Sequence, residues 1–553
     1  MMGNVTLLGG RSGAEAVQGT GDADVRHGRC AMNRIRVQIL AFFLSAAMIG
    51  CDVSGIPKEP RRITVAIPMD ITTLDPATTF IVVNHTPANL AYERLVDFVV
   101  KDGRPTGEIL GGLAKSWQSS NDGMEWTFTL NSGHRFDDGA EVTAEAVKFT
   151  FDRVRAMGLG PAQALWWMGD IKAIDRYAVQ FQLKQPVPFF LKILALAPAG
   201  IINPQVMRHE INGDMAGGWL AENTAGSGLY RVARFARRER VVLEPNPFAK
   251  SPPQYFTEVN LAVIKDDTVR AIQLAKGDVD IMDPVSLHMI PWLKAQPNIL
   301  YTSGLSPSVT FLHMNNERPP FTDPRVRQAV AQAIDRDLII RSIFKGTAEI
   351  IRGALPAGVP GHDPDLSQPP YDLVAARALL VEAGVAPGAP ITFTVVGDGN
   401  TPSALAIALR NNLTDLGFAV AIEQVAAASR GRILKGDYDV TLQTISLDFP
   451  DPWIVFNFVY NSAMIGAANM PRYANEQVDA LLAQADGILD EDARVELYQK
   501  AQRLVMADMP TVPLFQIRRT VAVRSDARGL DYNFSQPFFY NFQSMRREAS
   551  GAQ

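Results

Sequence analysis

Cysteine is almost missing from this chain of 553 residues: two occur, Cys30 and Cys51, and both precede the part that reads as globular. A disulfide framework and a thiolate metal cluster are therefore excluded for the folded body. Histidine is sparse as well. The six beyond position 50 (His85, His134, His209, His288, His313 and His362) contain no i, i+3 or i, i+4 pair that would place two ligands on one helix face. No apolar run reaches the roughly 20 residues a membrane-spanning helix needs. Clustered positive charge is absent too: 53 Lys and Arg stand against 58 Asp and Glu, a formal charge of −5. Nucleic acid is thus excluded as a partner, because neutralising phosphates needs a basic surface.

Local catalytic motifs are also missing. There is no H-E-x-x-H, no phosphate-cradling G-x-x-x-x-G-K and no G-x-S-x-G elbow. Gly226-Ser227-Gly228 has the wrong frame for the last, with Ala225 before it and Leu229 after. Gly397-Asp398-Gly399 follows a strand pattern, but Thr401-Pro402 breaks the dinucleotide fingerprint. What remains is an ordinary globular composition, 47% hydrophobic and 20% charged. At this length one core does not suffice, and two to four domains are expected.

The beginning of the chain reads as an address. Arg34 and Arg36 precede an apolar run from Val37 to Ile49, interrupted only by Gln38 and Ser45. A charged start and a short apolar centre are the pattern of a secretory signal. The run ends in Ala47-Met48-Ile49-Gly50-Cys51, which resembles a bacterial lipobox, in which the cysteine is lipidated and becomes the new N-terminus. The other reading is a plain signal peptide with an incidental thiol at Cys51. Residues 1–50 are accordingly an upstream segment plus a lipoprotein signal, with Met32 as the expected initiator. Residues 51–61, polar and holding two prolines, read as a tether. Asp52, directly after the cysteine, points to retention at the inner membrane.

The body alternates strand and helix patterns. Arg62–Ile67, Trp126–Leu130 and Tyr177–Leu183 alternate with period two. Thr143 is placed to cap a helix whose apolar face is Val147, Phe151 and Val154. Asp323-Pro324 starts another helix, and Asp372–Gly384 reads as a capped one with Gly384 closing it. Residues 391–396, 404–416 and 418–422 form a strand–helix–strand unit, which implies a parallel pair. Two more helices follow, 475–485 and 491–507. The class is mixed α/β.

Several blocks stand in a recognisable order. Leu113-Ala114-Lys115-Ser116-Trp117 precedes Asp122-Gly123 and Phe128-Thr129-Leu130. Phe136-Asp137-Asp138-Gly139 is followed by Thr143-Ala144-Glu145-Ala146-Val147. Ala225-Gly226-Ser227-Gly228-Leu229-Tyr230 and Val241–Pro247 come next. Leu312-His313-Met314-Asn315, Pro320–Ala329 and Ala333-Ile334-Asp335-Arg336 complete the set. In this order they resemble the family 5 extracellular solute-binding proteins of peptide and nickel ABC importers, which include dipeptide- and oligopeptide-binding proteins. The resemblance runs from about Ile63 to Phe542.

It implies a two-lobed periplasmic-binding-protein fold of type II, in the large peptide-binding subclass, with an extra domain on lobe I. The implied division is a discontinuous domain I (62–94, 222–310 and 515–545), an extra domain II (95–221) and a second lobe (311–514). It also implies a small-molecule solute held between lobes that close over it, and no catalysis, cofactor or metal. The partners implied are an ABC permease and its ATPase, reached by a monomer anchored by lipid on the outer face of the cell membrane.

The segment Thr444-Ile445-Ser446-Leu447-Asp448-Phe449-Pro450-Asp451-Pro452-Trp453 matches the stretch that grips peptides in the family. The match gives Asp448 the role of holding a peptide's α-ammonium. It gives Thr444, Ile445 and Ser446 the main-chain edge that pairs with the peptide backbone. A carboxylate suits that role, since a buried ammonium must be paired. An Asp before Pro-Asp-Pro is equally a turn and helix-start signal, and for Asp451 the capping role is the expected one. Trp166, Trp167, Trp219 and Trp453 are candidates to line the cleft. Many peptide binders carry Trp near Ile445, and this chain does not. A nickel chelate, an opine-like conjugate or a sugar therefore stands as alternative cargo, and a secreted hydrolase or a ligand sensor as an alternative class.

Overall fold

The computed structural model describes residues 61–548, apart from 79–80, 102–103, 164, 166, 398–402 and 534–539. Cys51, the signal segment and nearly all of the tether lie outside the described residues, as do Trp166 and Asp398-Gly399. All that is described belongs to one unit of the chain, Pro60–Gln553.

Arg62–Ile67 lies within an eleven-stranded sheet, pairing in parallel with Glu258–Val263 on one side and Ile281–Met282 on the other. Its period-two pattern suggests one solvated face, yet every residue from Ile63 to Ile67 is buried. Thr64 is the polar member, and its amide donates to the Asp280 carboxylate at 2.8 Å. The bond satisfies a main-chain amide that a strand covered on both faces cannot offer to water.

Two strands are much longer than the rest, Ile299–Met314 and Thr511–Arg524. They run antiparallel and pair in two stretches, Ile299–Leu305 against Arg518–Arg524 and Val309–His313 against Thr511–Gln516. The register shifts between Leu305 and Val309. Such an irregularity bends the ladder and increases its twist. At this point the Ser306 hydroxyl donates to the Ile517 carbonyl at 2.8 Å, and the Gln516 amide donates to the Ser306 carbonyl at 3.0 Å. On one side of the bend the sheet continues through Ile281–Met282, Arg62–Ile67, Glu258–Val263, Arg240–Pro245 and Tyr230–Ala236. On the other it continues through Val440–Ser446, Pro390–Val396 and Ala419–Val425.

The strand–helix–strand unit forms as its pattern requires. Pro390–Val396 and Ala419–Val425 pair in parallel, with Pro390 opposite Ala419. The Ala404–Leu416 helix between them is capped by Ser403 and ended at Gly417. Asp323 caps Pro324–Ala333, and Asp372 caps Leu373–Glu382 by accepting from the amides of Val374 and Ala375. Thr143 departs from expectation. It occupies the N-cap position of Ala144–Met157 in extended conformation, but its side chain makes no capping hydrogen bond. The predicted face is nevertheless buried, with Val147, Phe151 and Val154 all in the core; tertiary packing carries this helix rather than its cap.

That helix covers a separate four-stranded antiparallel sheet ordered Ala114–Ser119, Glu125–Leu130, Ala178–Leu183, Met168–Asp175. Phe128, Phe151 and Phe190 each meet Phe181, with ring centroids 5.3 to 5.6 Å apart. The same apolar cluster continues without interruption into Leu447, Phe449, Val455 and Phe456, which follow the Val440–Ser446 strand. The four-stranded layer is thereby packed against the far side of the bent sheet.

Gly226 and Gly228 show why their motif has a structural role. A Cβ at Gly226 would lie 2.0 Å from the Ala91 carbonyl oxygen, and one at Gly228 2.5 Å from the carbonyl of Leu90. Two backbones touch there, and only glycine permits the approach.

Candidate binding cavity

Where the two apolar layers meet, a cavity of about 810 Å³ remains. One wall comes from the four-stranded layer and the segment after it: Phe151, Leu165, Trp167, Phe189, Ile193 and Leu196. The facing wall comes from the end of the Val440–Ser446 strand and the turns that follow, with Ile445, Ser446, Asp448, Phe449, Trp453, Asn457 and Phe458. Such a volume, mostly apolar with a few polar groups, is typical of a small-molecule site.

Asp448 is the group that stands out chemically. It lies two residues beyond the strand, keeps access to solvent at the cavity, and is otherwise surrounded by protein whose burial effect raises its pKa. Among the described residues no hydrogen bond or ion pair reaches its carboxylate. A partly solvated carboxylate in such a setting is open to a cation that enters the cavity.

The strand leading to it has an open edge. Ser308–Met314 pairs with Ser446–Val440 on one side. On the other, Pro390–Val396 reaches only Val440 and Thr441, so Leu442–Ser446 has no strand partner there among the described residues. The hydroxyls of Thr444 and Ser446 are occupied across the paired edge, each sharing a 2.9 Å hydrogen bond with Thr310 and Ser308 respectively. Thr444 does not line the cavity, whereas Ile445, Ser446, Asp448 and Trp453 do.

Asp451 has a different role. It is fully buried and caps the Pro452–Val455 turn of helix through the Trp453 amide at 3.0 Å. Its oxygens also accept from Arg494 at 2.9 and 3.2 Å and from Lys192 at 3.1 Å. Burial pushes this carboxyl up, but the Lys192 and Arg494 cations outweigh it and hold the group below its ordinary range. Lys192 further binds Glu491 at 2.8 Å. It belongs to the Phe190–Leu194 helix, so this ionic cluster ties the four-stranded layer to the opposite wall. Phe189 adds an apolar tie, with its ring 4.5 Å from Trp453 and 5.6 Å from Phe449.

Of the tryptophans proposed for the cleft, Trp167 and Trp453 line it. Trp219 instead stacks on His209 at 4.4 Å, away from it. Sequence reasoning missed Lys192, Phe189 and a second lining acid, Asp486 at the end of the Glu476–Asp486 helix. Nothing local marks them. Phe189 and Asp486 reach the cavity, and Lys192 stands behind its wall, from segments about 260 and 40 positions away from Asp448, and only packing brings them there.

Comparison with known proteins places the chain in a class. Residues 108–466 match the model of the bacterial extracellular solute-binding proteins, family 5. The protein belongs to that family, whose members are binding proteins. It is similar to the probable D,D-dipeptide-binding periplasmic protein DdpA of Escherichia coli K12, at 34% identity over 498 residues, covering 89% of this chain and 95% of that protein. Among solved structures it resembles the periplasmic binding protein DppA of Helicobacter pylori in complex with the peptide STSA. The TM-score is 0.74 and the identity 24%, over 88% of this chain and 98% of the other. A dipeptide-binding protein from Pseudoalteromonas with Met-Leu bound gives the same TM-score at 22% identity, over 88% and 100% of the two chains. The fold is accordingly the two-lobed, type II periplasmic-binding-protein architecture, of the peptide-binding subclass.

Proposed function

We propose that this protein captures a short peptide between its lobes and delivers it to an ABC permease and ATPase. The observation that carries the reading is Asp448: an unpaired carboxylate facing an apolar cavity at the end of a strand whose outer edge is open. An α-ammonium satisfies the carboxylate. An extended backbone satisfies the edge at Thr444–Ser446 by strand addition. Peptides or dipeptides are named for several relatives, which favours this cargo over a chelate or a sugar.

On this reading the bend at Leu305–Val309 is the hinge, and domain I comprises 62–94, 222–310 and 515–545. Domain II is 95–221 and domain III 311–514. A solute touching both walls favours the closed form by its differential affinity for it. Solute binding then protects the fold by mass action, about 2.7 kcal/mol at a hundredfold excess over Kd. A thermal-shift screen of di- to pentapeptides, backed by native mass spectrometry of the fresh protein, is expected to find a stabilising peptide that is recovered chemically unchanged. A screen in which only sugars or nickel stabilise, or in which the peptide is cleaved, rejects the proposal.

The same reading makes Cys51 the lipidation site, with 51–61 as tether and the outer face of the inner membrane as location. In cells fed a labelled fatty acid the protein is expected to take up label and Cys51→Ser is expected not to, since no cysteine follows Cys51. Absence of label in the unaltered protein, or label retained in Cys51→Ser, would refute lipidation at Cys51.

A further inference from the structure

The ionisable groups lining the cavity, among the described residues, are two acids and no base: Asp448 and Asp486. Lys192 and Arg494 do not line it and are already committed to Asp451, with Glu491 sharing Lys192. No ion pair reaches Asp486 among the described residues. Its position is also unfavourable for the isolated fold. It is the last residue of an eleven-residue helix, where the macrodipole is negative and an anion is disfavoured. A carboxylate kept at that end, half-buried and facing a cavity, is a local cost that a cation in the cavity would relieve, both through the carboxylate and through the helix terminus.

We propose that Asp486 is a second cation-recognising position in the cavity, so that the protein selects peptides carrying a positively charged side chain in addition to the ammonium at Asp448. This rests on the peptide reading above and adds a specificity to it. The acid is poised to report its own role. Burial pushes Asp486 up to about 6, with the charge of Asp451 acting in the same direction and Arg494 and the Trp453 indole acting against it. Above that range it is ionised and favours a cation; below it the preference fades. The groups that face it from neighbouring elements are Asp451, Trp453, Arg494, Tyr498 and, through Asp451, Lys192 and Glu491.

The test compares lysine with norleucine, which has the same methylene chain and no ammonium, at positions 2 and 3 of alanine di- and tripeptides. The α-ammonium is common to both, so the ratio of affinities isolates the side chain from Asp448. Calorimetry at pH 7.5 is expected to show a lysine peptide binding at least tenfold tighter than its norleucine partner in one register. At pH 5 the ratio is expected to fall. Asp486→Asn is expected to bring the ratio of lysine to norleucine affinity to about one, because the amide retains the shape and an acceptor for Trp453 but carries no charge. Equal affinities in every register, or a preference that survives in Asp486→Asn, overturns the subsite and leaves the peptide reading intact. Failure of every peptide to bind overturns both. The pH comparison needs no variant, so the proposal stays exposed even if Asp486→Asn folds poorly.

Discussion

Asp448→Ala is expected to weaken binding of the natural solute by about 3–5 kcal/mol, roughly two to four orders of magnitude in Kd. The size follows from what is left behind. With solute in the cavity, the ammonium would be held against Phe449 and Trp453 without its counter-charge, and an unpaired charge out of water is far costlier than a lost surface contact. Asp448→Asn, which keeps volume and a hydrogen-bond acceptor, is expected to recover only a small part of the loss, because the missing quantity is charge. The wild-type protein should show the same dependence on pH. Burial raises the Asp448 carboxyl, and only its ionised form attracts an ammonium, so affinity is expected to decline as pH falls through that raised value. Isothermal titration calorimetry reads all three. An unaltered Kd in Asp448→Ala would remove this residue from the site.

The second large effect concerns stability rather than binding. Asp451→Ala would leave the buried Arg494 without its carboxylate, and the buried Lys192 with only the half-exposed Glu491. Removing one partner of such a cluster costs about 3–5 kcal/mol, seen here as a lower midpoint in urea unfolding. The loss measures the uncompensated positive charge, chiefly that of Arg494, not a net gain from having built the cluster. Lys192→Met is expected to cost less, because Arg494 still pairs with Asp451 through two hydrogen bonds. The sign with pH is fixed as well. Asp451 is depressed in the folded state, so its contribution is complete above the ordinary carboxylate value of about 3.9 and is lost as pH falls through the depressed one. A variant with wild-type unfolding behaviour would mean that the two cations find other partners once Asp451 is gone.

The contrast between Asp448 and Asp451 shows how far reading along the chain can go. Both stand in one short motif, and the motif makes both eligible for a turn, a cap or a ligand contact. Capping was assignable to Asp451 because a cap is a local interaction, set by the residue's place before Pro452. Its pairing with Lys192 and Arg494 was not, because those partners arrive from elsewhere in the fold. The same division runs through the whole protein. Helices beginning at Asp323 and Asp372, the parallel unit at 390–425 and the order of the family's blocks were all legible, since each depends on capping chemistry, periodicity or short separations.

What a strand faces, by contrast, depends on its neighbours. Arg62–Ile67 alternates as though half-solvated and is in fact enclosed, because covering layers and not its own pattern decide its exposure. Asp486 is the clearest case. Along the chain it is one acid among many near a helix end, and a helix end argues against an acid there. The folded structure turns that end towards a cavity and places it with Asp448 in a lining that holds no base among the described residues. By itself the sequence determined the class of fold, the family and one ligand candidate, because these rest on local patterns repeated in order. Tertiary structure alone decided the cavity, its charge and the ties that close it, because these arise where segments hundreds of residues apart exclude water together.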